Sequence, residues 1–327
     1  MTLGVGVLGF GVMGRVHAAA WVAARAAGLP VEVVGIHSRS LGGGDAAGNL
    51  EELAAELPFD VAGLTRFPTV DDLLGDARIG AVSICTHTDS HVPLALRALA
   101  AGHHVLVEKP VALTAAKVEP LAEAAGLSAA LCMPGFCMRF WPGWPWLRER
   151  IHDGSLGEVR SASFERLGPP PGWAGHFYGD LERSGGALHD MHVHDADFVR
   201  WCFGDPQTIQ ASGDLRRVEA MYGYAHVAEP VRATGGWVEA PGFEFRMRYR
   251  IEFAEGVADF AHDRATPLRL VRNGEAGEVE VPDESAYDAE IRHFAQAVLE
   301  GEPLRASMED ALAVARLLDR EKSALAS

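Results

Sequence analysis

The stretch Leu3-Gly-Val-Gly-Val-Leu8, followed by Gly9-Phe10-Gly11-Val12-Met13-Gly14 and the Ala-rich run Arg15–Ala27, decides the fold of the first half of this chain. A short apolar segment reads as a strand, the glycines punctuate a turn, and the run after them has helical character. The same G-x-G-x-x-G spacing also occurs at Gly4, Gly6 and Gly9. That earlier match leaves only three residues for a strand and would place Phe10-Gly11 inside the helix. In the strand–turn–helix setting, Gly9 allows the tight turn, Gly11 lets a pyrophosphate approach the backbone, and Gly14 lets helix and strand pack closely. The helix N-terminus then directs free N–H groups and a positive dipole end at the phosphates. Gly9, Phe10, Gly11, Val12, Met13 and Gly14 are therefore the expected dinucleotide-contacting loop.

Outward from this loop, strands and helices alternate. Val31–Ile36, Ala81–Cys85, His104–Val107 and Ala129–Met133 read as strands. Ala46–Leu57 (with Asp45 as N-cap), His91–Ala101 and Thr114–Ala125 read as helices. This alternation predicts a doubly wound parallel sheet covered by helices on both faces. After residue 133 the texture changes. Pro134–Pro145 is aromatic and Pro-rich and reads as a junction, which divides the chain into 1–133 and 134–327. In Phe243–Phe253 every odd position is apolar and every even one charged, so one sheet face meets a core and the other a polar environment. Glu158–Arg166, Thr208–Ser212, Gly236–Glu239 and Leu268–Val271 are further strand expectations, and Ala286–Glu300 and Met308–Ala326 are expected helices. The second part is thus an α+β domain with an open-faced, mostly antiparallel sheet.

Composition narrows the partners. The 327 residues suit two domains, and the net charge of −16 argues against nucleic acid or an anionic membrane as the main partner, since both require clustered positive charge. No run approaches the ~18 apolar residues of a spanning helix. The N-terminus has no basic lead and no cleavage-type small residues, so it reads as a first strand and not as a signal peptide. Cys85, Cys132, Cys137 and Cys202 form no CxxC pair, and a reducing cytoplasm is expected.

Three further segments bear on chemistry. The second strand ends Gly35-Ile36-His37-Ser38-Arg39-Ser40, with no acid until Asp45. An acid there would accept bonds from the ribose hydroxyls of NAD(H), whereas Ser38 and Arg39 offer donors and a cation to a 2′-phosphate. NADP(H) is favoured, with NAD(H) left open. Second, Val105-Leu-Val-Glu108-Lys109-Pro110 ends a parallel strand, where ligands of such sheets bind. Of 29 Lys and Arg residues only Lys109, Lys117 and Lys322 are lysines, so an ammonium at this spot stands out. Such a group would favour a developing alkoxide. Third, Ser184-Gly-Gly-Ala-Leu-His189-Asp190-Met-His192-Val-His194 leads into a helix. Asp190 and His194 are four apart, hence on one helical face, where a carboxylate orients an imidazole for general-base work. His189, His192 and His194 are crowded, but neither an HExxH pattern nor a Cys partner completes a site, so no metal is expected. The alternative for these histidines is a hydrogen-bonded structural role.

The glycine loop, Glu108-Lys109-Pro110 and Gly185-Gly186…Asp190…His194 occur in the order found in the glucose–fructose oxidoreductase / inositol dehydrogenase (Gfo/Idh/MocA) family, which the chain resembles over essentially its whole length. The resemblance implies a Rossmann domain followed by a substrate-binding and oligomerisation domain. It makes Lys109, Asp190 and His194 the catalytic residues. It places Thr86, His87 and His91 of Thr86-His-Thr-Asp-Ser-His91 on the nicotinamide side, with Glu108 and Lys109 nearby, although Thr86-His87 depart from the more usual family sequence there. The implied activity is hydride transfer between NAD(P) and a sugar, inositol or related polyol. Cofactor-assisted glycoside cleavage, epimerisation, and cofactor sensing without turnover are alternatives. Arg139, Trp173, His176 and Tyr178, with His194, are the expected substrate contacts. A homodimer or homotetramer is expected, with the Glu244/Arg246/Arg248/Arg250/Glu252 face available for assembly.

Overall fold

The computed structural model describes residues 2–38, 63–172 and 175–325. Arg39, Asp45, the helix expected over Ala46–Leu57, and Trp173 lie outside the described residues. In the first half the chain runs β1 (Leu3–Leu8), α1 (Val12–Ala26), β2 (Val31–His37), β3 (Thr65–Arg66), α2 (Val70–Leu74), β4 (Ile79–Ile84), α3 (His91–Ala100), β5 (His104–Glu108), α4 (Ala115–Leu127) and β6 (Cys132–Gly135). The six strands form one sheet in the order β3-β2-β1-β4-β5-β6, and every pairing is parallel. All but the first residue of β1 are buried, the near-continuous apolar run of a strand covered on both faces. The two-residue β3 carries no hydrophobic alternation, which is why the sequence does not announce it.

The second half begins with α5 (Trp144–Asp153), β7 (Val159–Gly168), and the short helices α6 (Gly175–Tyr178) and α7 (Leu181–Ser184). A π-turn over Leu188–His192 runs into α8 (Val193–Phe203). Then come β8 (Thr208–Gly213), β9 (Arg217–Gly223), β10 (Val231–Trp237), β11 (Arg246–Phe253), β12 (Gly256–Ala261), β13 (Leu268–Arg272), β14 (Glu275–Glu278), α9 (Ala286–Glu300) and α10 (Met308–Leu325). The eight strands order as β14-β13-β12-β11-β7-β10-β9-β8; all pairings are antiparallel except β7 with β10.

Two strands differ in their limits from the sequence reading. β11 starts at Arg246, because a turn with Gly242 at φ +76° and a Phe243 N–H to Ala240 carbonyl bond occupies the residues before it. Along the strand, Met247, Tyr249, Ile251 and Phe253 are buried, as the alternation requires. β10 runs Val231–Trp237, beginning five residues before and ending two residues before the strand expected over Gly236–Glu239.

The chain divides into two compact units. One comprises residues 1–137, 171–177 and 285–313, so α9 belongs with the parallel sheet. There α9 packs on α1, with Phe294 edge-on to Trp21, whose indole donates to Ser83 Oγ at 2.9 Å. The other comprises 138–170, 178–284 and 314–327. Its centre is Trp144, edge-on to Phe198, Tyr249 and Phe260, with the Tyr249 hydroxyl donating to the Gly143 carbonyl at 2.8 Å. Among the described residues no helix is long and apolar enough to cross a membrane.

Candidate active site

The glycine loop has the geometry its spacing calls for. Gly9 sits at φ +86°, and a Cβ there would lie 2.7 Å from the Cys85 carbonyl oxygen. A Cβ on Gly14 would lie 2.0 Å from the Gly9 carbonyl oxygen. Gly11 is different: nothing lies within 4 Å of the position its Cβ would take. Gly11 also caps α1 without any side-chain bond, and no acid stands in the first turn. The start of the helix therefore offers N–H donors and a positive dipole end to an anion through open space. Phe10 and Val12 turn their side chains inward, so these two residues have only backbone to offer. These features fit a dinucleotide pyrophosphate.

At the end of β2, His37 is held by its Nδ1 at 3.0 Å from the Phe67 carbonyl oxygen, and its own carbonyl accepts from Gly9 N–H. Ser38 follows, half-buried, and no acidic side chain stands at either position.

At the end of β5, Glu108 is buried and reaches two ways. Its Oε1 lies 2.9 Å from His17 Nε2 on α1, and its Oε2 accepts from the Lys109 backbone N–H at 3.0 Å. Burial would raise the Glu108 pKa, but the hydrogen bond and charge of His17, with the charges of Lys109 and His91, outweigh it and hold the carboxyl below its usual range. Glu108, expected at the cofactor, thus ties the phosphate-facing helix to the backbone of Lys109. The Lys109 side chain is half-buried, and the Lys109–Pro110 bond is cis.

The segment after β4 is fixed in a similar manner. The Ser90 hydroxyl donates to Thr86 Oγ1 at 2.7 Å, and the exposed His87 ring stacks on Phe177 at 4.4 Å. His91, expected as a cofactor contact, is 1% exposed, with Nδ1 2.9 Å from the Pro110 carbonyl and Nε2 2.9 Å from the Thr86 carbonyl. Its ring is committed to main-chain carbonyls on both sides, so it shapes the segment from within. Burial lowers its pKa despite those two bonds.

In the second unit, Gly185 and Gly186 both have positive φ, and a Cβ on Gly186 would lie 2.3 Å from the Leu215 carbonyl oxygen. Asp190 follows in the π-turn, and His194 is the second residue of α8. The four-residue interval therefore crosses a π/α junction and is not one regular α-helical turn, as the sequence suggested. Such π-turns occur often at functional sites. Asp190 Oδ2 accepts from the Trp237 indole N–H at 3.1 Å, and Tyr178 stands edge-on to Trp237 at 6.0 Å. Trp237 was not foreseen; a Trp ending a strand beside two glycines was the available signal. His176 is exposed on α6. Among the described residues no group of three or more His, Cys, Asp or Glu is arranged to hold a metal ion.

Arg139, expected at the substrate, lies in the core of the second unit at 1% exposure. Its Nε and Nη2 donate to the Asp197 carboxylate, with the shortest bond 2.6 Å, and its guanidinium lies 5.3 Å from the Trp201 ring centre. A second buried pair, Arg166–Asp195, holds α8 to β7, with Nη2 3.0 Å from Oδ1. Burial raises the Asp195 pKa, while Arg166 opposes it. A paired, dry guanidinium serves the packing of α8, so the structure replaces the substrate reading of Arg139 with a structural one.

Residues 3–136 match the family described as "Oxidoreductase family, NAD-binding Rossmann fold", and residues 144–241 match the "GFO/IDH/MocA C-terminal domain". The chain belongs to the GFO/IDH/MocA oxidoreductase family. Inositol 2-dehydrogenase of Rhizobium meliloti is 27% identical to this family member over 98% of its chain and 96% of that protein. Among solved structures, a putative myo-inositol dehydrogenase from Sinorhizobium meliloti is 25% identical with a TM-score of 0.76, covering 98% of each chain. A levoglucosan dehydrogenase, in complex with NADH and levoglucosan, shares the fold of this GFO/IDH/MocA chain at a TM-score of 0.83 and 21% identity, covering 100% of this chain and 98% of that one. The NAD-binding family match covers the glycine loop and Lys109, and the C-terminal match covers Asp190, His194 and Trp237.

Proposed function

We propose that the protein is an NADP(H)-dependent oxidoreductase acting on a hydroxyl or carbonyl group of a sugar, inositol or related polyol. The observation that carries this reading is the open space above Gly11, set before an uncapped helix start inside a six-stranded parallel sheet. The inositol dehydrogenase that matches the chain from end to end supports the substrate class. Residues 1–133 form the core of the dinucleotide-binding domain, to which 171–177 and 285–313 return, and the rest of 134–327 serves as the substrate-binding and oligomerisation domain of a homodimer or homotetramer.

The bound nicotinamide supplies a hydride acceptor or donor. The chain's own residues supply the rest. His194 takes the hydroxyl proton, with Asp190 orienting its ring, and the Trp237 indole fixes one Asp190 oxygen. The Lys109 ammonium stabilises the developing alkoxide. Gly9–Gly14 hold the pyrophosphate. The absence of an acid at His37 and Ser38 supports a 2′-phosphate there, with Arg39 as its cation. His176, Tyr178 and Trp173 are the proposed substrate contacts.

The test is a panel of inositols, hexoses and uronates, followed by reduced-cofactor absorbance with both nicotinamide cofactors. Turnover of at least one polyol is expected; Lys109→Met removes it while leaving cofactor affinity intact, and Arg39→Ala weakens NADPH but not NADH. Absence of turnover on the whole panel, or wild-type turnover by Lys109→Met, refutes the enzyme reading. Tighter binding of NADH, unaffected by Arg39→Ala, refutes the cofactor assignment.

A further inference from the structure

We infer that Glu321, on the last helix, is a positioning residue for Asp190, acting through His192 and Tyr222 on the π-turn that presents the carboxylate. This rests on the proposed role of Asp190 for its catalytic consequence, while the mechanical link itself does not.

Glu321, His192 and Tyr222 are all fully buried in the second unit. They come from three elements: α10, the π-turn and β9. The Tyr222 hydroxyl donates its one proton to Glu321 Oε1 at 2.8 Å. His192 Nε2 lies 3.1 Å from that hydroxyl and 2.9 Å from Glu321 Oε2. Since the tyrosine proton is already given to Glu321, Nε2 donates to the Tyr222 oxygen, while Glu321 Oε2 stands beside it as a close electrostatic neighbour that accepts no hydrogen bond. Nδ1 of the same ring has no partner. All the polar anchoring of His192 therefore runs through Nε2, toward Glu321 and Tyr222.

A buried carboxylate is costly without donors close by, so Glu321, with Oε1 bonded to Tyr222 and Oε2 2.9 Å from His192 Nε2, favours the ring placement that keeps Nε2 beside it. β10 closes the other side. A Cβ on Gly235 would lie 2.6 Å from His192 Cβ and 2.8 Å from its Cα, so only glycine lets the π-turn approach this closely. Two residues further along β10, Trp237 donates to Asp190. The turn is thus bolted at its last residue by Glu321 and Tyr222, seated against Gly235, and read out at Asp190 by Trp237. π-Turns are intrinsically rare, and this one has a buried side-chain anchor that keeps it in place.

The experiment uses the full chain with ¹⁵N-labelled tryptophan, the Trp237 indole resonance being assigned with Trp237→Phe. Trp237 makes its side-chain hydrogen bond to Asp190 and none to Glu321. In Glu321→Ala the Trp237 indole signal is expected to shift or broaden, and in Glu321→Gln, which retains an acceptor for Tyr222, to return to near its wild-type position. Signals of Trp21 in the first unit stay unchanged. On a polyol that the panel of the preceding test shows to be turned over, Glu321→Ala lowers kcat about tenfold or more with KM and NADPH affinity little changed, and Glu321→Gln restores most of it. Should the alanine variant fail to fold, Tyr222→Phe and Glu321→Gln are compared in its place, with the larger indole shift expected in Tyr222→Phe. An indole signal that stays put in the folded variants overturns the inference, as does a uniform shift of every second-unit tryptophan. If wild-type protein turns over no polyol, the proposed function falls while the indole measurement still decides the link to Glu321.

Discussion

Replacing Gly11 with alanine separates a loop built for a ligand from one built only to turn. Its φ of −79° and ψ of −156° are open to any residue, and an added methyl meets nothing within 4 Å. The gain from a less flexible unfolded chain, about 0.4–1 kcal/mol, is offset by the poorer capping of alanine relative to glycine. Net stability should stay within about 0.5 kcal/mol of wild type. The methyl occupies the space in front of the helix start, so a pyrophosphate is pushed off the N–H donors. A hydrogen bond to a charged group is worth about 1.5–3 kcal/mol, and 1.4 kcal/mol is about tenfold in affinity. Losing one such bond weakens NADPH binding about 10- to 100-fold. Gly14→Ala is the control: its Cβ would lie 2.0 Å from the Gly9 carbonyl oxygen, so the backbone must shift and stability falls by about 1–3 kcal/mol or more. Urea denaturation measures the first quantity and NADPH fluorescence titration the second. Wild-type NADPH affinity in Gly11→Ala, or a stability loss matching that of Gly14→Ala, would refute the assignment of this space to the phosphates.

Two further outcomes follow from buried groups. Arg139→Ala strands the Asp197 carboxylate in the core and should cost about 3–5 kcal/mol, seen as a lower unfolding midpoint; unchanged stability with a raised substrate KM would return Arg139 to the substrate site. For His91, burial places the native pKa below the ordinary 6.5, so as pH falls below that value the unfolded chain takes up the proton first and stability declines until the lowered native pKa is passed. Glu108, with its native pKa lowered, contributes stability that is present above its unfolded value of 4.5 and lost as pH falls through the native one. The melting temperature should therefore drop between about pH 7.5 and about pH 5.5, less steeply in His91→Asn; a flat profile, or equal slopes in both proteins, contradicts this.

Much of the first unit was legible because its signals are local. Gly9, Gly11 and Gly14 each answer to a distance or dihedral within their own turn, and β1 reads as a strand from six consecutive residues. In the second unit β11 was the clearest, because its alternation is unbroken, and β7, β8 and β13 were legible as weaker signals. β9, β12 and β14 escaped notice: β14 is exposed throughout, and the other two carry glycines or charges that blur the period. At the site, Lys109, Asp190 and His194 were picked out by residue type and neighbours. Trp237 was not, because its hydrogen bond to Asp190 spans 47 positions of sequence.

The amino-acid order alone determined the parallel-sheet class of the first half and the tight turn of the glycine loop, since periodicity and glycine placement act over a few residues. Only the tertiary structure decided what each polar group does with its charge. Arg139 meets Asp197 58 positions away, His17 meets Glu108 across 91, and Tyr222 meets Glu321 across 99. A desolvated charge must find a partner, and which partner arrives is set by how the sheets and helices close over it.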